Sequence, residues 1–173
     1  MLTWFRARKR SQRTAAELYG SIVTAARREA FYLDFGVPDT PDGRFAMVVT
    51  HTYLILERLR QEGQAGQELS RAVVEAFVSD MDDCMREMGV GDLTVPRKVK
   101  KATGALYDCT IAFRKAAAEG HSALANAVRS NLLPFEAPTV ADCIATYMLR
   151  AAAELEMHPG SELLAGRVTF ARI

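Results

Sequence analysis

Two runs of apolar residues at helical spacing, joined by one short break, set the tightest limit on what this chain can fold into. Val73, Val74, Phe77, Val78, Met81, Cys84, Met85 and Met88 recur at three- and four-residue intervals, as do Val99, Ala102, Leu106, Cys109, Phe113 and Ala116. That spacing puts each set on one face of a helix. Between them lies Gly89-Val90-Gly91-Asp92-Leu93-Thr94-Val95, short enough to fold the second helix back along the first. Gly89 and Gly91 suit a left-handed cap and a tight turn, and Pro96 suits a first helical turn. The result is a helical hairpin inside an all-α bundle.

The charges of this hairpin run against helix electrostatics. Asp80, Asp82, Asp83 and Glu87 crowd the end of the first helix, and Arg97, Lys98, Lys100 and Lys101 open the second, each on the side that the helix dipole disfavours. One reading is a set of ion pairs across the hairpin, Asp83 and Glu87 to Lys98 and Lys101. The other is a two-signed docking surface for a partner. A third possibility is chemical: carboxylates at this spacing can hold Mg²⁺ against a diphosphate, as in helical prenyl-transfer enzymes. Such an enzyme would act on an isoprenoid diphosphate or quinone precursor at Asp80 and Asp83, and it would need a second acidic cluster that the chain lacks. A solvated acidic face is the preferred reading, because Asp and Glu are mostly exposed.

The rest of the chain reads as helices too, about six in all in one compact domain over residues 14–173. The first runs from Thr14 to about Tyr32, with Arg27, Arg28 and Glu29 on a solvated side. The glycine and proline punctuation from Phe35 to Gly43 stops it, and Thr40 with Pro41 caps the second, which runs to about Arg60. That helix has apolar residues on two faces, Phe45, Val48, Val49, Ile55, Leu56 and Leu59 on one and Met47, His51 and Leu54 on the other. It should sit in the middle of the bundle. Gly63-Gln64-Ala65-Gly66 reads as a loop, with Ser70 capping the third helix. A fifth helix spans Ser122 to about Leu133, and a sixth runs from a capping box at Thr139 and Asp142 to about Glu156. Beyond it, a single turn at Ser161 to Ala165 and an extended or helical segment at Val168, Thr169 and Phe170 are expected.

Charge is unevenly placed. Residues 1–13 carry Arg6, Arg8, Lys9, Arg10 and Arg13 and no acid, so the remainder carries a net −4. These residues are expected as a basic flexible tail, in which Trp4, Phe5, Arg6, Arg8, Lys9 and Arg10 could meet an anionic lipid surface. No apolar run reaches the roughly 18 residues of a membrane span, and MLTWFRARKR lacks the apolar stretch of a signal peptide. A cytoplasmic protein, at most peripheral to the inner membrane, is expected. Cys84, Cys109 and Cys143 fit reduced, buried thiols. No aromatics alternate with the basic residues, so a nucleic-acid partner is not expected.

Sites of reaction are hard to find. His51, His121 and His158 have no partner at helical spacing that would make a metal pair. His51 fits a hydrogen-bonded interior or groove residue. There is no nucleophile elbow, phosphate loop, dinucleotide fingerprint or CxxC pair, and no catalytic residue, metal or cofactor is assigned. An interaction module remains, with Met81, Met85 and Met88 either filling the core or flooring an adaptable groove. Core filling is the preferred reading.

Several ordered motifs nevertheless resemble one family. Phe31-Tyr32, Val37-Pro38-Asp39-Thr40, Asp42-Gly43-Arg44-Phe45 and the run from His51 to Leu59 carry the first part of the likeness. Phe77-Val78-Ser79-Asp80-Met81-Asp82, Arg86 to Leu93 and Val95-Pro96-Arg97-Lys98-Val99-Lys100 carry the second. Together they resemble the ubiquinol-cytochrome c chaperone family, in a compact bacterial form. The resemblance implies an all-helical, non-enzymatic assembly factor that binds newly made cytochrome b, or another component, during biogenesis of the cytochrome bc1 complex. It also implies that mitochondrial members work with a small partner protein and at the ribosomal exit. Carried over, Asp39, Thr40, Asp42, Gly43, Arg44 and His51 would form one end of a partner-binding module. Asp80, Asp82, Arg86, Glu87, Gly91, Asp92, Arg97, Lys98 and Lys100 would form its charged hairpin, to which the charge pattern itself adds Asp83 and Lys101.

Overall fold

A computed structural model describes residues 2–173, with side chains from Ser11 onward. The helices are α1 (Leu2–Ala26), α2 (Glu29–Leu33), α3 (Pro41–Leu59), α4 (Gly63–Glu87), α5 (Val95–Glu119), α6 (His121–Asn131), α7 (Pro138–Met157) and α8 (Gly160–Leu164). No strand occurs among the described residues. The six long helices are those expected, and α2 and α8 are single short turns. No described helix is long and apolar enough to cross a membrane.

The middle of the bundle is α3. Every residue from Ala46 to Leu56 is buried, because α3 is covered by α1, α4, α5 and α7 at once. Its doubly apolar pattern therefore meant what it suggested. Thr40 caps its start by accepting from the Gly43 N–H at 3.2 Å, and Pro41 fills the first position, where no N–H is needed. Thr50 and Thr52 satisfy their buried hydroxyls on the carbonyls of Ala46 and Val48, both at 2.8 Å. Phe31, Phe77 and Phe113 are fully buried around it, each contributing about 1.5–3 kcal/mol over exposure.

The ends of the elements depart from expectation for identifiable reasons. With no glycine or proline between Leu2 and Thr14 to interrupt it, α1 already begins at Leu2, so the expected boundary at residue 13 falls within a helix. The side chains of Trp4, Phe5, Arg6, Arg8, Lys9 and Arg10 lie outside the described residues. The first expected helix breaks at Arg28, whose backbone is extended at φ −62° and ψ 129°. Arg28 is not on a solvated side: its guanidinium donates to the carbonyls of Ala171 and Phe170. Likewise α4 starts at Gly63, not Ser70, after a 3₁₀ turn at Arg60–Glu62. Gly66 makes this tight entry fit, since a Cβ there would stand 2.0 Å from the Leu59 carbonyl oxygen. At α7 the expected Thr139 capping box is absent; Pro138 occupies the first turn and Ala137 precedes it without a side-chain cap.

Two buried polar groups tie distant elements together. Arg58 donates to the Leu155 carbonyl at 2.8 Å and to the His158 carbonyl at 2.9 Å, and also pairs with Glu62. It thereby fastens the end of α7 to the end of α3. His51 is completely buried between Phe31, Tyr147 and Phe170. Its Nδ1 meets the Met47 carbonyl at 2.7 Å, and a carbonyl can only accept, so Nδ1 carries the proton. Nε2 then accepts from the Tyr147 hydroxyl at 2.9 Å. Burial pushes His51 down to about 4 and Tyr147 up to about 12, so the imidazole is neutral and the hydroxyl keeps its proton. His51 was expected in the partner-facing set, and full burial removes it from any surface.

Candidate functional site

The stripe of α4 changes character along its length. Val73 and Phe77 are fully buried, Met81 nearly so, Met85 only partly, and Met88 is 60% exposed. The helix leaves the core as it runs toward the hairpin, and its methionines become one wall of an open groove of about 580 Å³. Opposite, α5 contributes the small side chains Ala102 and Ala105, which leave the space open. Val23 of α1 and Phe45 and Val48 of α3 close the floor. Core filling holds for Met81, but Met88 belongs to the groove. Unbranched thioethers suit a wall that must fit varied shapes.

The rim is charged and two-signed. Arg27 comes from the turn after α1, Asp42 and Arg44 from α3, Asp80 and Glu87 from α4, and Lys98 and Lys101 from α5. Asp80 is held in place by the Tyr19 hydroxyl, which donates to it at 2.8 Å. Burial and this bond raise Tyr19 far above its ordinary value, so the donor persists. Cys84, 3.9 Å from Asp80, is pushed up by burial and by the acids Asp80 and Glu87 around it. It stays a thiol and not a reactive thiolate. Cys84 and Cys143 are half-buried and Cys109 buried, all unpaired with one another.

The hairpin is braced in a different way from the one expected. Asp83 and Glu87 form no ion pair with Lys98 or Lys101 among the described residues; instead Arg86 bonds Asp82 at 2.6 Å and Asp92 at 2.6 Å. One guanidinium thus joins the last turn of α4 to the loop. Gly89 takes φ 76°, and the Val90 N–H reaches the Met85 carbonyl at 3.0 Å, closing α4 with a left-handed cap. Asp92 is accordingly a brace of the turn. At the other motif, Asp39 pairs with Arg44 at 2.6 Å on the surface.

Residues expected to form two separate ends are partly brought together. Asp42 and Arg44 face the same groove as Asp80, Glu87, Lys98 and Lys101, whereas Asp39, Asp82, Asp83, Arg86, Asp92, Arg97 and Lys100 lie outside its lining. Val23, Arg27, Ala102 and Ala105 were missed as groove residues. Alanines at helical spacing opposite a methionine stripe were the available signal, and they read equally well as core. The carboxylates do not converge as a diphosphate site requires. Asp80 is engaged by Tyr19 and Asp82 by Arg86, and among the described residues no three His, Cys, Asp or Glu side chains are grouped to hold a metal ion.

Fold and site together define an all-helical bundle with an open, methionine-walled groove under a two-signed rim. The chain belongs to the ubiquinol-cytochrome c chaperone family, whose model matches residues 33–170. It is similar to ubiquinol-cytochrome-c reductase complex assembly factor 1 of Xenopus laevis, at 24% identity over 152 residues, 87% of this chain and 76% of that protein. The Homo sapiens protein of that name is also 24% identical over 152 residues, but the chain spans only 51% of its length. Among solved structures, the crystal structure of the Cbp3 homolog from Brucella abortus matches with a TM-score of 0.84 and 33% identity, covering 99% of this chain and 96% of that one.

Proposed function

We propose that the protein is an assembly chaperone for the ubiquinol-cytochrome c reductase (cytochrome bc1) complex, acting by binding and not by catalysis. Its client in this reading is newly made cytochrome b, an apolar segment of which is shielded in the groove. The observation that carries the reading is the emergence of the α4 methionines from the core into a groove ringed by Arg27, Glu87, Lys98 and Lys101. Family membership supports the complex as the target. The size of the groove supports a partial grip: it takes several large apolar side chains, whereas a whole transmembrane helix has about 20 residues. The two-signed rim then orients the segment through its flanking charges. Arg6, Arg8, Lys9 and Arg10, with Trp4 and Phe5, add attraction to an anionic membrane in this scheme.

Affinity capture from membranes solubilised in mild detergent tests this. The tagged protein should enrich cytochrome b. Met88→Asp, which places a charge on an exposed part of the wall, and Ala105→Phe, which fills the groove, should lose it while keeping their thermal transitions. The charge reversals Asp83→Lys and Glu87→Lys, made singly, separate hairpin from rim, because only Glu87 lines the groove and only its reversal should weaken capture. Folded groove variants that capture cytochrome b as well as the parent would refute the site. A parent that enriches no subunit of the complex would refute the function.

A further inference from the structure

The solvent face of α5 carries a second feature, distinct from the groove. Arg97, Lys100, Gly104, Tyr107, Ile111 and Lys115 follow one another at three- and four-residue intervals, so they form a single line along the helix. All are exposed, with Tyr107 at 52% and Ile111 at 66%. At the near end the hairpin loop presents Leu93, which is 99% exposed. None of the three cations forms an ion pair among the described residues, and the line itself contains no acid; Asp108 lies at its edge. From Arg97 to Lys115 it extends about 27 Å at 1.5 Å per residue.

We infer that this line is a docking surface for an anionic lipid bilayer. The charge pattern selects the occupant. Three unpaired cations and no acid lie along the line, Arg97 and Lys100 at one end and Lys115 at the other with Tyr107 and Ile111 between them, a single-signed pattern that suits a uniformly anionic surface. A bilayer surface accepts that arrangement. Lysine and arginine stems lie along apolar surface with their charges among the phosphates, tyrosine favours the headgroup level, and an isolated leucine on a loop can enter the acyl boundary. Gly104 leaves the middle of the line uncovered, with nothing within 4 Å of the position where a Cβ would be. Lys98, Lys101, Ala102 and Ala105 point to the groove from another face of α5, so docking through this line leaves the groove mouth uncovered.

Vesicle binding by the full chain tests the inference without any client, so its outcome is independent of the chaperone reading. Sedimentation with phosphatidylcholine vesicles should show little binding, and vesicles with about a quarter phosphatidylglycerol should bind the protein. Arg97→Glu with Lys100→Glu should weaken that binding at least about 30-fold, from the contribution of each cation near an anionic surface. Leu93→Trp in a Trp4→Phe background leaves one indole, whose emission should shift to the blue on the anionic vesicles. The same reversals at Arg6, Arg8, Lys9 and Arg10 should leave the blue shift in place wherever protein is bound. Three results would each overturn the inference: no binding to anionic vesicles, binding unaffected by the Arg97 and Lys100 reversals, or bound protein whose introduced indole shows no shift.

Discussion

Between about pH 7 and pH 4 the protein should lose more stability than its carboxylates alone account for, and His51 is the source of the excess. Its folded-state pKa lies near 4, set first by complete burial, partly offset by the bond to the Met47 carbonyl, and lowered further by Arg28. In the unfolded chain the value returns to about 6.5. The unfolded state therefore binds a proton below about pH 6.5 that the folded state refuses until about pH 4. Stability is full above that window, falls as pH drops through it, and the loss is complete below it. At 1.36 kcal/mol per unit the contribution amounts to about 3 kcal/mol. Urea unfolding at a series of pH values, for the parent and for His51→Gln, isolates it, since His121 and His158 are common to both. At pH 7 the variant should be weaker by about 1–3 kcal/mol, because the Tyr147 hydroxyl and the Met47 carbonyl lose a fitted partner. The gap should then shrink by about 3 kcal/mol on the way to pH 4, a midpoint change of about 1–3 M urea. Parallel curves for the two proteins would refute the argument.

Two further substitutions test the fold. Arg58→Ala strands the His158 carbonyl, removes one of two donors from the Leu155 carbonyl, which keeps the His158 N–H at 3.1 Å, and leaves Glu62 without its partner; it should cost about 3–5 kcal/mol in urea unfolding, and a loss below about 1 kcal/mol would show that water replaces the guanidinium. Gly89→Ala forces a Cβ into a left-handed cap with φ 76°, so it should cost about 1–2 kcal/mol although no atom crowds the site; equal stability would mean that the loop relaxes.

Helices with their own apolar period could be read directly. The patterns of α3, α5 and α7 follow from side chains a turn apart, and α3 revealed even its central place by being apolar on two faces. The break at Arg28 could not be seen, because its reason lies in the carbonyls of Phe170 and Ala171 at the other end of the chain. The start of α4 was missed for a related reason: Gly63 and Gly66 look like loop residues until the Leu59 carbonyl is placed beside Gly66. As for the site, its charged residues were visible as motifs, but their meeting was not. Asp42 and Arg44 reach the hairpin residues only through the packing of α3 against α4 and α5. Conversely, His51 stood out as a polar residue and belongs to the interior, because Tyr147 supplies a hydrogen bond from nearly a hundred positions away.

The graded burial of α4 has a mechanical consequence. The helix is a beam clamped where Val73 and Phe77 lie in the core, tied to α1 at Asp80 by Tyr19, and more lightly supported toward Met88. Arg86 bonds Asp82 on its own helix and Asp92 in the loop, so this end is stiffened within the hairpin, while Val90 and the buried Val95 seat the loop against the core. Deflecting it changes the width of the groove while disturbing few buried contacts. The aperture can therefore adjust to side chains of different bulk, and the restoring force comes from the clamped half of the same helix.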